Sequence, residues 1–350
     1  MADHSTAPGP LRLIFHIGAG KTGTSSIQQS LRASLEALHR HGVQYLGLML
    51  EHAPLQRHPW QKAGGSEIFH NLPPQAATAQ LSEVLLDACA QARQRGCHTL
   101  IWSNESFFNR NHSARPVLQA LLAAGVDVRI VAYVRRHDAW LRSAYAQWGI
   151  KHKTYKGPAK PFLEWIKSHP ARFGQPLWSL ETQFPDRVTV RNLDAVKDAI
   201  PDFMALCGIE LDWLTISRDN VTPSNAELLL RALFNSRIED KVLPERFDQV
   251  MQTGWSGGER PDGYMAHLLP SAQDLQDASD EAREDRTLVD QLLQKGGQPP
   301  IDTDPLRAKS NAVDTQELVF LLAEALVVQT QKVERLEQAL RSKGLLDPGP

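Results

Sequence analysis

LRLIFHIGAGKTGTSSIQ, residues 11–28, begins as an apolar run, turns through three glycines with one lysine among several hydroxyls, and continues as a helix-forming stretch. A helix N-terminus leaves its first amide N–H groups unpaired and carries about half a positive charge, so a strand feeding such a turn builds a seat for a phosphate or sulfate. Gly18, Gly20 and Gly23 let the main chain come close to an anion. Lys21 supplies formal charge, and Thr22, Thr24, Ser25 and Ser26 supply hydroxyls.

A second motif, VAYVRRHDAWLRSAYAQW at 131–148, repeats the strand-then-helix plan. The apolar strand VDVRIVAYV runs up to Arg135, and Ser143 follows eight positions later on the next helix. An arginine fork at a strand end and a serine hydroxyl nearly two turns into a helix can grip one phosphate together. The nucleoside-triphosphate pattern G-x-x-x-x-G-K-[ST] would need a glycine at position 15, which is Phe15.

FHIGAGKTGTSS resembles instead the phosphosulfate loop of the sulfotransferases that use 3′-phosphoadenosine 5′-phosphosulfate (PAPS). VRRHDAWLRSAY is similar to the bacterial form of their second motif, and NVTPSNAELLLRALFN, less specifically, to a later segment, so that the resemblance spans roughly residues 11–295. It implies a three-layer α/β/α fold, P-loop NTPase-like, with a mainly parallel central sheet, and an enzyme moving a sulfuryl group from PAPS to an acceptor hydroxyl or amine. By that resemblance Lys21 lies beside the bridging oxygen of the leaving phosphate, and Gly20, Thr22, Gly23, Thr24, Ser25 and Ser26 wrap the 5′-phosphosulfate. Arg135 and Ser143 then hold the 3′-phosphate. No metal is required, and no histidine pair has convincing metal-ligand spacing. Two other classes stay open: a P-loop nucleotide kinase, and a non-catalytic binding protein that keeps the sulfotransferase fold.

The acceptor's proton needs a base. Glu105, in HTLIWSNESFF, lies two residues past an expected strand, at the sheet edge that also carries Lys21 and Arg135. A structural role, capping the next loop or pairing with an arginine, competes with that reading. His16, directly before the loop, is the second candidate. The acceptor could be a saccharide, a lipid-linked glycan, a peptide or a small metabolite, with a carbohydrate or glycoconjugate preferred. The run Lys151, His152, Lys153 and Lys156 is read as a solvated face more readily than as an acceptor-attracting patch, and Trp140, Tyr145 and Trp148 as core more readily than as stacking platforms.

Composition fits this without adding specificity. Apolar content is 42% over 350 residues, ample for a buried core, and a net charge of −2 implies no whole-chain attraction to nucleic acid or anionic membrane. Cys89, Cys97 and Cys207 are few, odd in number and without metal spacing, which points to reduced thiols and a cytoplasmic setting. No stretch reaches the ~20 apolar residues of a membrane span, and MADHSTAPGP, lacking a signal-peptide pattern, reads as a disordered lead over 1–10.

Apolar runs alternating with helical patterns predict a parallel sheet. Strands are expected at 11–17, 43–47, 98–103, 127–134 and 187–192, and helices at 25–41, 79–95, 115–124 and 138–151. Gly96 and Gly125 stand at helix C-termini. Residues 51–74, with their prolines, histidines and Gly64-Gly65, read as a long loop or lid. The sulfotransferase domain thus covers 11–295, mainly helical after Asn192. Pro223 suits a first turn, and Ser224 with Glu227 forms a capping box. A polar linker follows over 296–313, then one helix over 314–342 capped by Asp314 and Glu317, and a disordered tail over 343–350. Val319, Leu322, Leu326, Gln329, Val333, Leu336 and Leu340 alternate three and four apart, a coiled-coil seam as well suited to packing back on the domain as to homo-oligomer formation.

Overall fold

The computed structural model describes residues 10–217, 223–251, 268–304, 315–343 and 345. The chain forms two compact units, one drawn from Met1–Arg136, Arg172–Asn220 and Ala282–Thr303, the other from His137–Ala171, Val221–Glu281 and Asp304–Pro350. The span expected as one domain is thus shared between both.

In the first unit the chain runs through β1 (Arg12–His16), α1 (Thr24–Ala33), α2 (Leu35–Arg40), β2 (Val43–Tyr45), α3 (Ser66–His70), α4 (Pro74–Gln94), β3 (Thr99–Ser103), α5 (Ala114–Ala123), β4 (Asp127–Val134) and β5 (Val188–Asn192). All five strands are parallel, in the order β2-β3-β1-β4-β5. Each lies within two residues of its expected place, because a strand covered on both faces reads as an unbroken apolar run, and every residue of β3 is buried. Side chains of alternate parity serve opposite faces. Ile14, Tyr45, Ile101, Val131 and Tyr133 join Ile27 and Leu31 of α1 and Phe203 and Met204 of the helix Ala199–Cys207 in one core cluster. Of the opposite parity, Phe15 stacks on Trp102 with ring centroids 4.2 Å apart. The architecture is α/β with an all-parallel sheet and flanking helices, compatible with three layers.

Three local readings change. The single helix expected over 25–41 is broken at Ser34, whose backbone leaves the helical region (φ −121°) and whose hydroxyl accepts from Thr215 N at 2.9 Å. Residues 51–74 are no structureless lid: they contain α3 and bury Trp60 and Phe69. Trp60 Nε1 donates to Gln80 Oε1 at 2.8 Å, and Gln61 Oε1 accepts from the amides of Arg57 and His58, both at 3.0 Å. Prolines and glycines stop regular structure there while aromatic and amide side chains bind the segment down. The start of the expected linker is bound as well. Ile301 is buried, and Asn192 Nδ2 donates to the carbonyls of Pro299 and Pro300 at 3.1 and 3.0 Å, strapping the end of β5.

The second unit is helical. Its first helix, His137–Ala144, passes at Tyr145 into a π-helical stretch through Lys151, where a plain α-helix was expected. Tyr145 is core, its hydroxyl donating to Lys160 O at 2.7 Å and its ring 5.4 Å from that of Phe162. Of the basic run, Lys153 is not solvated but fully buried, donating its ammonium to the carbonyls of Gly157 and Ile238. Burial lowers its pKa, because a charge taken out of water is disfavoured. Ser224 caps the helix Asn225–Asn235 by accepting from Glu227 N at 3.1 Å, while Glu227 bonds Arg231 at 2.7 Å and Pro223 lies outside the first turn. The long helix Thr315–Ser342 leaves Val319, Leu322, Leu326, Val333 and Leu336 exposed. Its expected cap, Asp314 with Glu317, lies outside the described residues and side chains. No described helix is long and apolar enough to cross a membrane.

Candidate functional site

The strand order itself locates a crevice. From β1 the chain crosses to β2 on one side of the sheet, and from β4 it crosses to β5 on the other, so the carboxyl ends of β1 and β4, paired neighbours, flank a topological switch point. In open parallel sheets ligands settle in that crevice. The loop 17–23 leaves β1 there, and Arg135 and Arg136 leave β4.

The loop is wound through left-handed backbone. Gly18, Gly20, Lys21 and Gly23 have φ of 43°, 55°, 55° and 88°, a sequence open to glycine and costly for the lysine. Gly23 is the N-cap of α1 and brings no side chain to its first turn. Beneath the loop three polar atoms are buried without a hydrogen-bond partner: His16 Nε2, Thr22 Oγ1 and Thr24 Oγ1. They converge on Gly18, for a Cβ there would lie 3.5 Å from His16 Nε2, 3.6 Å from Thr22 Oγ1 and in collision with Thr24 Oγ1. Buried polar atoms ordinarily find partners, so three orphans facing one glycine mark a place where a ligand or water completes the bonding. Ser26 is buried, whereas Ser25 on the same turn is exposed.

Arg135 closes the other side. Its Nη1 donates to the carbonyl of Lys21 at 3.4 Å, its Nη2 lies 3.8 Å from Asp194 Oδ1, and its Nε is buried and unpartnered. Asp194 also accepts from Arg136 N at 2.7 Å, and Asn192 caps Asp194 N in turn, so the end of β5 positions the arginine. Lys21 and Arg135, expected on one edge, are therefore brought together. Ser143 lies on the helix His137–Ala144 of the second unit.

His16 is wholly buried, and burial pushes its pKa down to about 3 by penalising the charged ring. Its Nδ1 lies 2.8 Å from Ser103 Oγ. Glu105, on the short 3₁₀ turn after β3, accepts from Gln28 Nε2 at 2.9 Å, and the same amide reaches Ser103 O at 3.1 Å. One amide on α1 thus ties the last residue of β3, the strand paired with β1, to the candidate base. Gln28, Asp194 and Ser103 were not singled out from sequence. Only the position of Gln28 on the first helical face behind the loop could have suggested its part. Among the described residues no group of three metal-ligating side chains is found.

Comparison with family models, with curated proteins and with solved structures found no match for this chain.

Proposed function

We propose that the chain is a sulfotransferase, with the P-loop-related sulfotransferase fold, that moves a sulfuryl group from PAPS to an acceptor hydroxyl or amine. The observation that carries the reading is the convergence of His16 Nε2, Thr22 Oγ1 and Thr24 Oγ1, all unpartnered, under a left-handed loop that Arg135 touches from β4. A dianionic group seated on the loop would satisfy hydroxyls and amides at once, and the arginine beside it would take the second phosphate that distinguishes PAPS.

The chemistry follows from that seat. An acceptor oxygen attacks sulfur in line, the bond from sulfur to the bridging oxygen breaks, and 3′-phosphoadenosine 5′-phosphate departs with the bonding pair. Lys21 and the loop donors offset the negative charge gathering on the leaving phosphate, an electrostatic contribution available without rearrangement. Glu105 takes the acceptor proton. His16 suits this role less, since its ring is wholly buried beneath the loop, with Nδ1 engaged by Ser103 Oγ at 2.8 Å.

The test is transfer of label from sulfur-labelled PAPS into an extract-derived acceptor fraction. Wild-type protein should transfer label and Lys21→Ala should not. Equal transfer by both, or transfer of label from γ-phosphorus-labelled ATP with none from sulfur-labelled PAPS, overturns the reading.

A further inference from the structure

Around the end of β2 lies a second set of buried polar atoms that the loop does not use. Tyr45, the last residue of β2, is 1% exposed, and its hydroxyl has no hydrogen-bond partner. His52 Nε2 is also buried and unpartnered, with its ring centroid 5.9 Å from that of Tyr45. Glu51 folds back toward the same place: its Oε2 accepts from Met49 N at 2.7 Å, while Oε1 has no hydrogen bond and faces Arg32 Nη2 at 3.5 Å. Gly47 permits this fold-back, since a Cβ there would meet the Glu51 carboxylate at 2.5 Å, and its φ of 91° suits glycine.

α1 joins this set to Glu105. Gln28 and Arg32 stand one turn apart on one helix face, the first holding Glu105 and the second Glu51. Two carboxylates are thereby tied to side chains one turn apart on α1. The Tyr45 phenol feels both: burial first, then Glu51 and Glu105, raise its pKa, against a lowering by Arg32. It stays a hydroxyl, able to donate and to accept.

We infer that Tyr45, Glu51 and His52 form an acceptor subsite for a polyhydroxylated ligand, a sugar ring, next to Glu105. The inference rests on the sulfuryl-transfer reading for the identity of the reacting partner, but the subsite stands on its own atoms. Neighbouring sugar hydroxyls each donate and accept, which is what the orphaned phenol, carboxylate oxygen and imidazole nitrogen call for. An apolar ligand would leave the phenol and the imidazole nitrogen without hydrogen bonds.

The experiment is saturation-transfer NMR on the full chain with methyl glucoside, methyl galactoside and methyl N-acetylglucosaminide, with propylamine and phenol as comparison probes. It is run with and without 3′-phosphoadenosine 5′-phosphate, on wild type, Tyr45→Phe and Glu51→Gln. At least one glycoside should bind wild type, and each variant should weaken it by about tenfold, the loss of one good hydrogen bond. Affinity for 3′-phosphoadenosine 5′-phosphate, measured by calorimetry, should stay unchanged and shows that the variants are folded. Binding of propylamine or phenol in preference to every glycoside, or glycoside binding untouched by both variants, overturns the subsite. Glycoside binding that depends on Tyr45 in a protein that ignores 3′-phosphoadenosine 5′-phosphate would keep the subsite and remove the sulfuryl-transfer reading instead.

Discussion

Lys21 occupies a backbone conformation that side chains rarely adopt, φ 55° beside Gly20 at 55°, so its place in the loop carries a conformational cost that packing does not explain. Removing the ammonium should therefore leave the fold and remove the chemistry. Lys21→Ala is expected to keep a wild-type melting temperature and lose turnover by ~100-fold or more. Glu105→Gln retains an acceptor for Gln28 Nε2 but cannot take a proton. It should lower kcat by ~100-fold while affinity for 3′-phosphoadenosine 5′-phosphate changes little, whereas a merely structural Glu105 would show a reduced melting temperature with activity kept. His16 governs a different observable. Its pKa is lowered to about 3 by burial, and that of His70 to about 4 by burial and then by Arg110 and His112. Unfolded histidine titrates near 6.5, so between that pH and the folded values the unfolded chain binds protons that the native one does not, and stability falls as pH falls. His16→Gln should flatten the melting temperature against pH from about 6.5 downward by up to one proton's slope, about 1.4 kcal/mol per pH unit. An unchanged slope would mean that the ring is protonated in the native state.

The loop between β1 and α1 works as an element because Gly18, having no Cβ, lets Thr24 Oγ1, His16 Nε2 and Thr22 Oγ1 come close beneath its backbone. Gly18→Ala places a Cβ against Thr24 Oγ1 at φ 43°, so it should abolish anion binding while costing about 1–3 kcal/mol of stability, read by chemical denaturation and by calorimetry on the same sample. Much of this element is legible in sequence, since apolar run, glycines, lysine and hydroxyls are all local signals, and the five strands are legible for the same reason. What escapes sequence is decided at long range. Ser34 breaks a helix of good periodicity through a bond to Thr215, and Trp60 and Phe69 turn a proline-bearing loop into packed structure. Lys153, one of three lysines in a short run, is buried because the nearby carbonyl of Gly157 and the distant one of Ile238 receive its ammonium. Tyr45 and His52 read as a strand end and a loop histidine, and the lack of partners for the phenol oxygen and the ring nitrogen shows only in the folded chain.

Over the whole molecule, the crevice depends on both ends of the chain's first unit. Residues 298–302 strap β5, whose following turn carries Asp194 against Arg135, and Arg136 pairs with Asp302 at 2.9 Å. Ile301→Ala should cost about 2 kcal/mol, the price of an emptied core position, and should weaken 3′-phosphate recognition along with it, measured by denaturation and by titration. Arg135→Ala should weaken PAPS far more than adenosine 5′-phosphosulfate, because only PAPS carries the 3′-phosphate, and an equal loss for both would move the arginine away from that group. The central claim, that the loop and Arg135 together bind a nucleotide with phosphate at both ends, is met most directly by calorimetric titration of the wild-type chain with 3′-phosphoadenosine 5′-phosphate and with Mg-ATP. Tight binding of the former without metal is expected, and weak or no binding of the latter. Mg-ATP binding more tightly than 3′-phosphoadenosine 5′-phosphate would contradict it.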